Sequence, residues 1–328
     1  MYKFIYFISV LFISSICVSQ PYTSYLTGNS NDFVVQPEFG ICLMGGATED
    51  DSAMVWFLKK AKGGDVVVIR ASGADGYNNY MYSQLGVTLN SVETLIIPSI
   101  TAATDNYVRT RLNQAEAIWI AGGNQANYVN YWKNTAVDSA INNLLNVKGG
   151  VVGGTSAGMA ILGQHYFSAL NGSVTSANAL SNPFHLNITI GSNDFIHAPF
   201  LENVITDTHY DNPDRRGRHT VFLSRILNNG NTKAYGIACD EYTSVCIDST
   251  GVGRIFGGFP AYDDNAYFIQ ANCVMPNTAE TILPSTPLTW NRNNQAVKTY
   301  KVKGTPNGLN WFNLNDWETA SGGAWEDW

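Results

Sequence analysis

The chain has 328 residues, of which 26 are acidic and 19 basic, a net charge of −7 and 45% hydrophobic residues. That length allows one main domain with a core of ordinary size, plus a smaller unit. An acidic balance without a basic run excludes the electrostatic footprint of a nucleic-acid binder, and beyond the first residues no stretch is long and apolar enough for a membrane-spanning helix.

At the N-terminus, Lys3 precedes the apolar run FIYFISVLFISSICVSQ, which reads as a secretory signal peptide over residues 1–19. The run is short for a membrane anchor and lacks a charged stop, and Ile16 before Cys17 does not suit a lipoprotein site. Export to the periplasm or out of the cell is therefore expected, with no membrane attachment once the signal is removed. From Gly40, short apolar runs alternate with helical patterns, the mark of a mostly parallel sheet covered on both faces. Strands are predicted at GICLMGG, DVVVIRA, VETLIIPS, EAIWIAGG, GGVVGGTS, ENVITDT, AYGIACD and SVCIDS. DDSAMVWFLKKAKGG opens with acids and closes on lysines and Gly63, as a helix should; QANYVNYWKN and TAVDSAINNLLNVKGG follow suit. The expected architecture is a three-layer α/β/α sandwich over residues 20–285. Residues 286–328 carry five of the eight tryptophans and the alternating AVKTYKVKG, which predicts a small C-terminal β appendage whose tryptophans cap the core. Past the leader stand Cys42, Cys239, Cys246 and Cys273, the first three in buried-strand runs. Their spacing does not suit zinc, no metal or cofactor is implied, and the disulfide pairing is open.

Parallel sheets place ligands at the carboxyl ends of their strands. There, Gly154-Thr155-Ser156-Ala157-Gly158 matches the Gly-x-Ser-x-Gly of a nucleophile elbow, and Ser156 is the candidate nucleophile. A serine needs a base held by a third group. Of the five histidines only His209 follows a predicted strand, NVITDT, at this edge; His165 falls in an expected helix after Ser156, and His185, His197 and His219 lie outside the strand ends. Asp240 and Glu241 end another strand, and since neighbours there point to opposite faces, one of the two can reach the histidine. The order serine, histidine, acid differs from that of an α/β-hydrolase. For the oxyanion, Ala157 N–H is the natural first donor and Gly123 or Asn124 the second. Arg215, Arg216 and Arg218 in DRRGR place cations at a helix start, which is unfavourable unless an anion compensates, and so point to a substrate carboxylate.

In this order and spacing, over about residues 39–250, GGTSAG, AGGNQ, DTHY…RRGR and DE-T resemble the cyanophycinases and related aspartyl dipeptidases of peptidase family S51. The resemblance implies a fold like class I glutamine amidotransferase domains, with serine in place of their cysteine. It further implies Ser156 as nucleophile, His209 as base, Glu241 as its orienting acid, and Gln125 lining the substrate pocket; Asp207, just before the histidine, is expected with the arginines among the substrate-binding residues. The implied function is an exported serine exopeptidase that releases β-Asp-Arg from cyanophycin, a polyaspartate bearing arginine on its side-chain carboxyls, or cleaves related aspartyl peptides. Thr208 stands where that family has glutamine, and Pro213 near where it has arginine; both bear on specificity and leave the chemistry intact. Two other readings are an aspartyl or isoaspartyl dipeptidase of short acidic peptides and a non-catalytic binding protein on the same scaffold. The expected partner is the peptide substrate, not nucleic acid, and a homodimer is compatible with the sequence.

Overall fold

The computed structural model describes residues 19–272 and 275–328; apart from Ser19 the predicted leader lies outside them, as does Cys273. The strands in chain order are β1 Thr23–Gly28, β2 Gly40–Met44, β3 Asp65–Arg70, β4 Ser91–Ile96, β5 Ala117–Ile120, β6 Val151–Thr155, β7 His165–Phe167, β8 Ile190–Ser192 and β9 Val204–Asp207. They continue with β10 Tyr235–Cys239, β11 Ser244–Asp248, β12 Val252–Phe256, β13 Asn265–Ala271, β14 Val297–Lys303, β15 Asn310–Asn313, β16 Ala320–Ser321 and β17 Gly323–Asp327.

Every strand read from the sequence is present, and the fold is α/β, with the strands shared between two sheets. The first has the order β1-β4-β3-β5-β6-β2-β11-β12-β15-β16, and its run β4 to β2 is parallel. The second has the order β17-β14-β13-β10-β9-β7-β8, parallel only from β10 to β7. The division begins after Ser156. No long helix follows it: a single turn, Met159–Ile161, leads into β7, so His165 sits in a strand and not in the expected helix. Without a crossover helix β7 does not join the first sheet; it pairs with β9, and β9 and β10 extend the second sheet before the chain returns to the first at β11.

Burial explains the apolar runs. In β3, Val66 and Val68 join the core under helix Asp51–Lys60, while Val67 and Ile69 join the opposite core, so both faces are covered and the run does not alternate. That helix starts where the Asp50 carboxylate accepts Ala53 N–H at 2.8 Å and ends on Lys59 and Lys60, in line with its dipole. On the other side of the first sheet, helices Asn106–Gln114, Gln125–Trp132 and Ala136–Asn143 share one core with the second sheet, where Ile41 and Leu43 lie in the same cluster as Ile237, Cys239 and Phe268. Helix Arg216–Asn228 covers the outer face of the second sheet through Phe222 and Ile226.

The C-terminal segment differs from the expected appendage. β14 pairs with β13 in the second sheet and β15 with β12 in the first. Both would otherwise be open edges with unpaired backbone groups, so the last strands complete the main domain. Trp317, 6% exposed, stacks on Tyr235 at 4.1 Å and meets Phe268 and Phe312 edge-on, which fastens this segment to the core between the sheets. Among the described residues no helix is long and apolar enough to cross a membrane.

Candidate active site

β6 ends in a corner. Ser156 has φ +52°, left-handed backbone that a non-glycine residue rarely holds, and its side chain is lifted out of the sheet. The flanking glycines follow from close packing: a Cβ on Gly158 would lie 2.1 Å from the Ile120 carbonyl oxygen, and one on Gly154 2.6 Å from the Gly158 carbonyl carbon. The turn is pressed against β5, and only hydrogen fits at those two positions.

Three successive carbonyls, at the end of β2 and just past it, hold the rest. Met44 O accepts Ser156 N–H at 3.1 Å, Gly45 O accepts His209 N–H at 2.9 Å, and Gly46 O accepts Tyr242 N–H at 3.1 Å. One extended stretch thus spaces the segments that carry the serine, the histidine and, next to Tyr242, the glutamate. His209 and Tyr242 also have positive φ, +46° and +59°, so backbone strain is concentrated here. Gly46 is required for a further reason: at φ +126°, a Cβ on it would fall 2.3 Å from His209 Cε1 and Nε2.

The side chains form a continuous relay. Ser156 Oγ is 2.8 Å from His209 Nε2, and His209 Nδ1 is 2.6 Å from Glu241 Oε1. An ionised carboxylate only accepts, so Nδ1 carries the proton and donates to Glu241, leaving Nε2 to accept the Ser156 hydroxyl proton. Asp240 points elsewhere. Its Oδ2 accepts from Asn265 N at 2.9 Å, from Asn265 Nδ2 at 3.1 Å and from Tyr267 OH at 3.3 Å, and burial pushes its carboxyl up to about 6. Of the adjacent acids, Glu241 is the one that meets the histidine.

A cleft of about 560 Å³ opens in front of the serine and includes Gly123, Ala157 and Gln125 in its wall. Among the described residues, neither Ala157 N–H nor Gly123 N–H makes a hydrogen bond. A Cβ placed on Gly122 would be 3.5 Å from Ser156 Cβ, so the Gly122–Gly123 turn lies against Ser156, the placement an oxyanion pocket requires. Helix Gln125–Trp132, capped by Asn124 through Ala126 N–H at 3.0 Å, adds Asn127 and Asn130 to the wall. Sequence reading passed over these two, although Asn124, Asn127 and Asn130 recur every three residues and so share a helix face.

The three arginines part company. Arg218 is bidentate to Asp207, with Nε to Oδ2 at 2.8 Å and Nη2 to Oδ1 at 2.5 Å, and it lies over the Phe167 ring. Burial pushes the Asp207 carboxyl up, but Arg218 outweighs it and the net value is below the usual carboxylate range. Asp207 is absent from the cleft wall, because this buried pairing consumes it. Arg216 is exposed, is held by Asp214 at 2.7 Å, and is likewise absent from the wall. Arg215 alone reaches the cleft without a carboxylate in hydrogen-bond range: Nη1 donates to Thr208 O at 2.9 Å, Nε is buried without a partner, and Asp207 Oδ1 is 3.9 Å away. Burial first, then Arg218, holds its guanidinium below the ordinary value. Among the described residues no group of three or more His, Cys, Asp or Glu side chains is set to hold a metal ion.

Fold and site together are those of a hydrolase built on an α/β scaffold. The profile of Peptidase family S51 matches residues 70–254, more than half of the chain, and the chain belongs to that family. Similar solved structures include a peptidase from an acI-B1 actinobacterium, with 15% identity, TM-score 0.48, 68% of this chain and 89% of that chain covered. Another is a peptidase E candidate from Listeria monocytogenes EGD-e, with 17% identity, TM-score 0.40, 67% of this chain and 98% of that chain covered. No match was found among curated proteins.

Proposed function

We propose that this S51 peptidase is an exported serine exopeptidase of cyanophycinase type, acting on cyanophycin or related aspartyl peptides. The observation that carries the proposal is the relay from Glu241 through His209 to Ser156, beside two N–H groups that make no hydrogen bond among the described residues. Ser156 Oγ attacks the scissile carbonyl as His209 Nε2 takes its proton, and Glu241 holds the ring and balances the imidazolium. Ala157 and Gly123 N–H receive the oxyanion. His209 then protonates the departing amine, and water, activated by the same nitrogen, releases the acyl group from Ser156.

Arg215 supplies the anchor for a free carboxylate of the substrate, with the amides of Gln125, Asn127 and Asn130 along the cleft. A second reading has its own support: with Arg216 and Arg218 tied to aspartates, a single available guanidinium suits an aspartyl or isoaspartyl dipeptidase acting on short acidic peptides.

The test is mass spectrometry of products after incubating the protein, and its Ser156→Ala variant, with purified cyanophycin and with short aspartyl peptides. Release of β-Asp-Arg by wild type alone supports the first reading, and cleavage of acidic dipeptides with cyanophycin untouched supports the second. Equal activity of Ser156→Ala, or a Ser156 inert to a fluorophosphonate probe, refutes both and leaves a binding protein on a peptidase scaffold. Export is tested by N-terminal sequencing of protein recovered outside the cytoplasm, which should begin near residue 20.

A further inference from the structure

Cys42 in β2 and Cys246 in β11 stand directly opposite each other in antiparallel register. They share one face of the sheet, both are at most 1% exposed, and their Sγ atoms are 3.6 Å apart. Opposed residues of an antiparallel pair have Cα atoms about 4.5 or 5.5 Å apart, and both spacings fall inside the roughly 4.4–6.8 Å that a disulfide spans. Bringing the sulfurs from 3.6 Å to a bond length of about 2.05 Å therefore takes side-chain rotation, not strand movement.

Cys239 does not compete. It lies in β10 of the second sheet with its thiol toward Leu43 O at 3.7 Å, in the core between the sheets. Cys42 and Cys246 lie in the core under helix Asp51–Lys60, on the opposite face of β2.

We propose that Cys42 and Cys246 are a cross-strand disulfide site, closed when the chain folds in the presence of a thiol–disulfide oxidant such as glutathione disulfide. One cysteine thiolate attacks glutathione disulfide and expels a glutathione thiolate, and the second cysteine thiolate displaces the remaining glutathione. Two cysteine thiols lose two electrons and two protons, and one glutathione disulfide becomes two glutathione thiols. The bond would tie β2, whose continuation through Gly46 holds the serine, histidine and glutamate segments, to β11, which leaves the Glu241 turn. It would clamp the floor of the site without touching substrate, and it does not depend on the peptidase reading.

The test uses the wild-type chain, reduced and unfolded in urea, refolded in a glutathione redox buffer, then alkylated under denaturing conditions. Digestion with a glutamate-specific protease and trypsin cuts at Glu241, between Cys239 and Cys246, and at Arg254, between Cys246 and Cys273, so mass spectrometry distinguishes the pairings. The expected result is one cross-linked pair joining the Cys42 and Cys246 peptides, two hydrogens lighter than their sum, with Cys239 alkylated. Alkylation of both Cys42 and Cys246 in the refolded protein, or linkage of either to Cys239 or Cys273 instead, overturns the proposal.

Discussion

Gly46→Ala adds one methyl group to the floor of the site. That carbon would sit 2.3 Å from His209 Cε1 and Nε2, whereas non-bonded heavy atoms settle at about 3.5–4.0 Å, so the imidazole must withdraw by roughly 1 Å or more. The Ser156 Oγ to Nε2 distance, now 2.8 Å, would open to about 3.8 Å, beyond hydrogen-bond reach. Alanine at φ +126° adds backbone strain, which resists any relaxation by the glycine strand end itself. A misplacement of about 1 Å lowers rates on the order of 10²-fold, and full loss of the base lowers them by roughly 10⁴-fold or more. The expected outcome is a fall of about 10²- to 10⁴-fold in fluorophosphonate labelling of Ser156, with overpacking lowering stability by about 1–3 kcal/mol. Labelling rates on protein shown to be folded by thermal melting check this, with Ser156→Ala as the blank. A folded Gly46→Ala protein that labels within about threefold of wild type would show that the β2 end does not set the histidine's place.

Glu241→Gln should keep the fold and lower kcat by about 10³-fold or more, because an amide no longer enforces the Nδ1–H tautomer, while Asp240→Asn should stay within about threefold. Steady-state kinetics of the two variants separates these adjacent acids. Arg215→Gln should raise KM by roughly 10- to 100-fold for peptides with a free carboxylate and leave amidated analogues unchanged, a pattern readable from paired substrate titrations. His219 is wholly buried, and burial pushes it from 6.5 down to about 4, so the folded chain binds fewer protons than the unfolded chain between those values. Its contribution to stability is complete above about pH 6.5 and is lost as pH falls toward 4, by about 3 kcal/mol. Urea midpoints of wild type and His219→Gln should show a smaller acid-side loss in the variant.

Much of the site is legible in the chain before folding. Ser156 sits between Gly154 and Gly158 after an apolar run, and a strand-to-turn corner needs that spacing whatever surrounds it. His209 and the Asp240-Glu241 pair likewise end apolar runs, and strand ends are where a parallel arrangement exposes polar groups. Runs such as DVVVIR announce strands because two covered faces leave no place for polar alternation. These are local signals, set by backbone preference and by the period of burial within a few residues.

Partner choice is another matter. Whether Asp240 or Glu241 meets His209 depends on Asn265 and Tyr267 occupying one side of the turn, and they come from a strand more than twenty residues on. Three arginines in one short motif look alike until Asp207 and Asp214 take two of them, which leaves Arg215 without a carboxylate in hydrogen-bond range. Gly45 and Gly46 read only as the glycine end of the predicted strand GICLMGG, and it is the imidazole packed on Gly46 that shows why a side chain is forbidden there. The C-terminal strands carry their own β pattern, yet nothing local says that one extends the first sheet and another the second. Residue order prescribes what each segment becomes. Which segments meet is decided by open sheet edges and buried charges, whose partners lie far along the chain and exert their effect only once packing has excluded water.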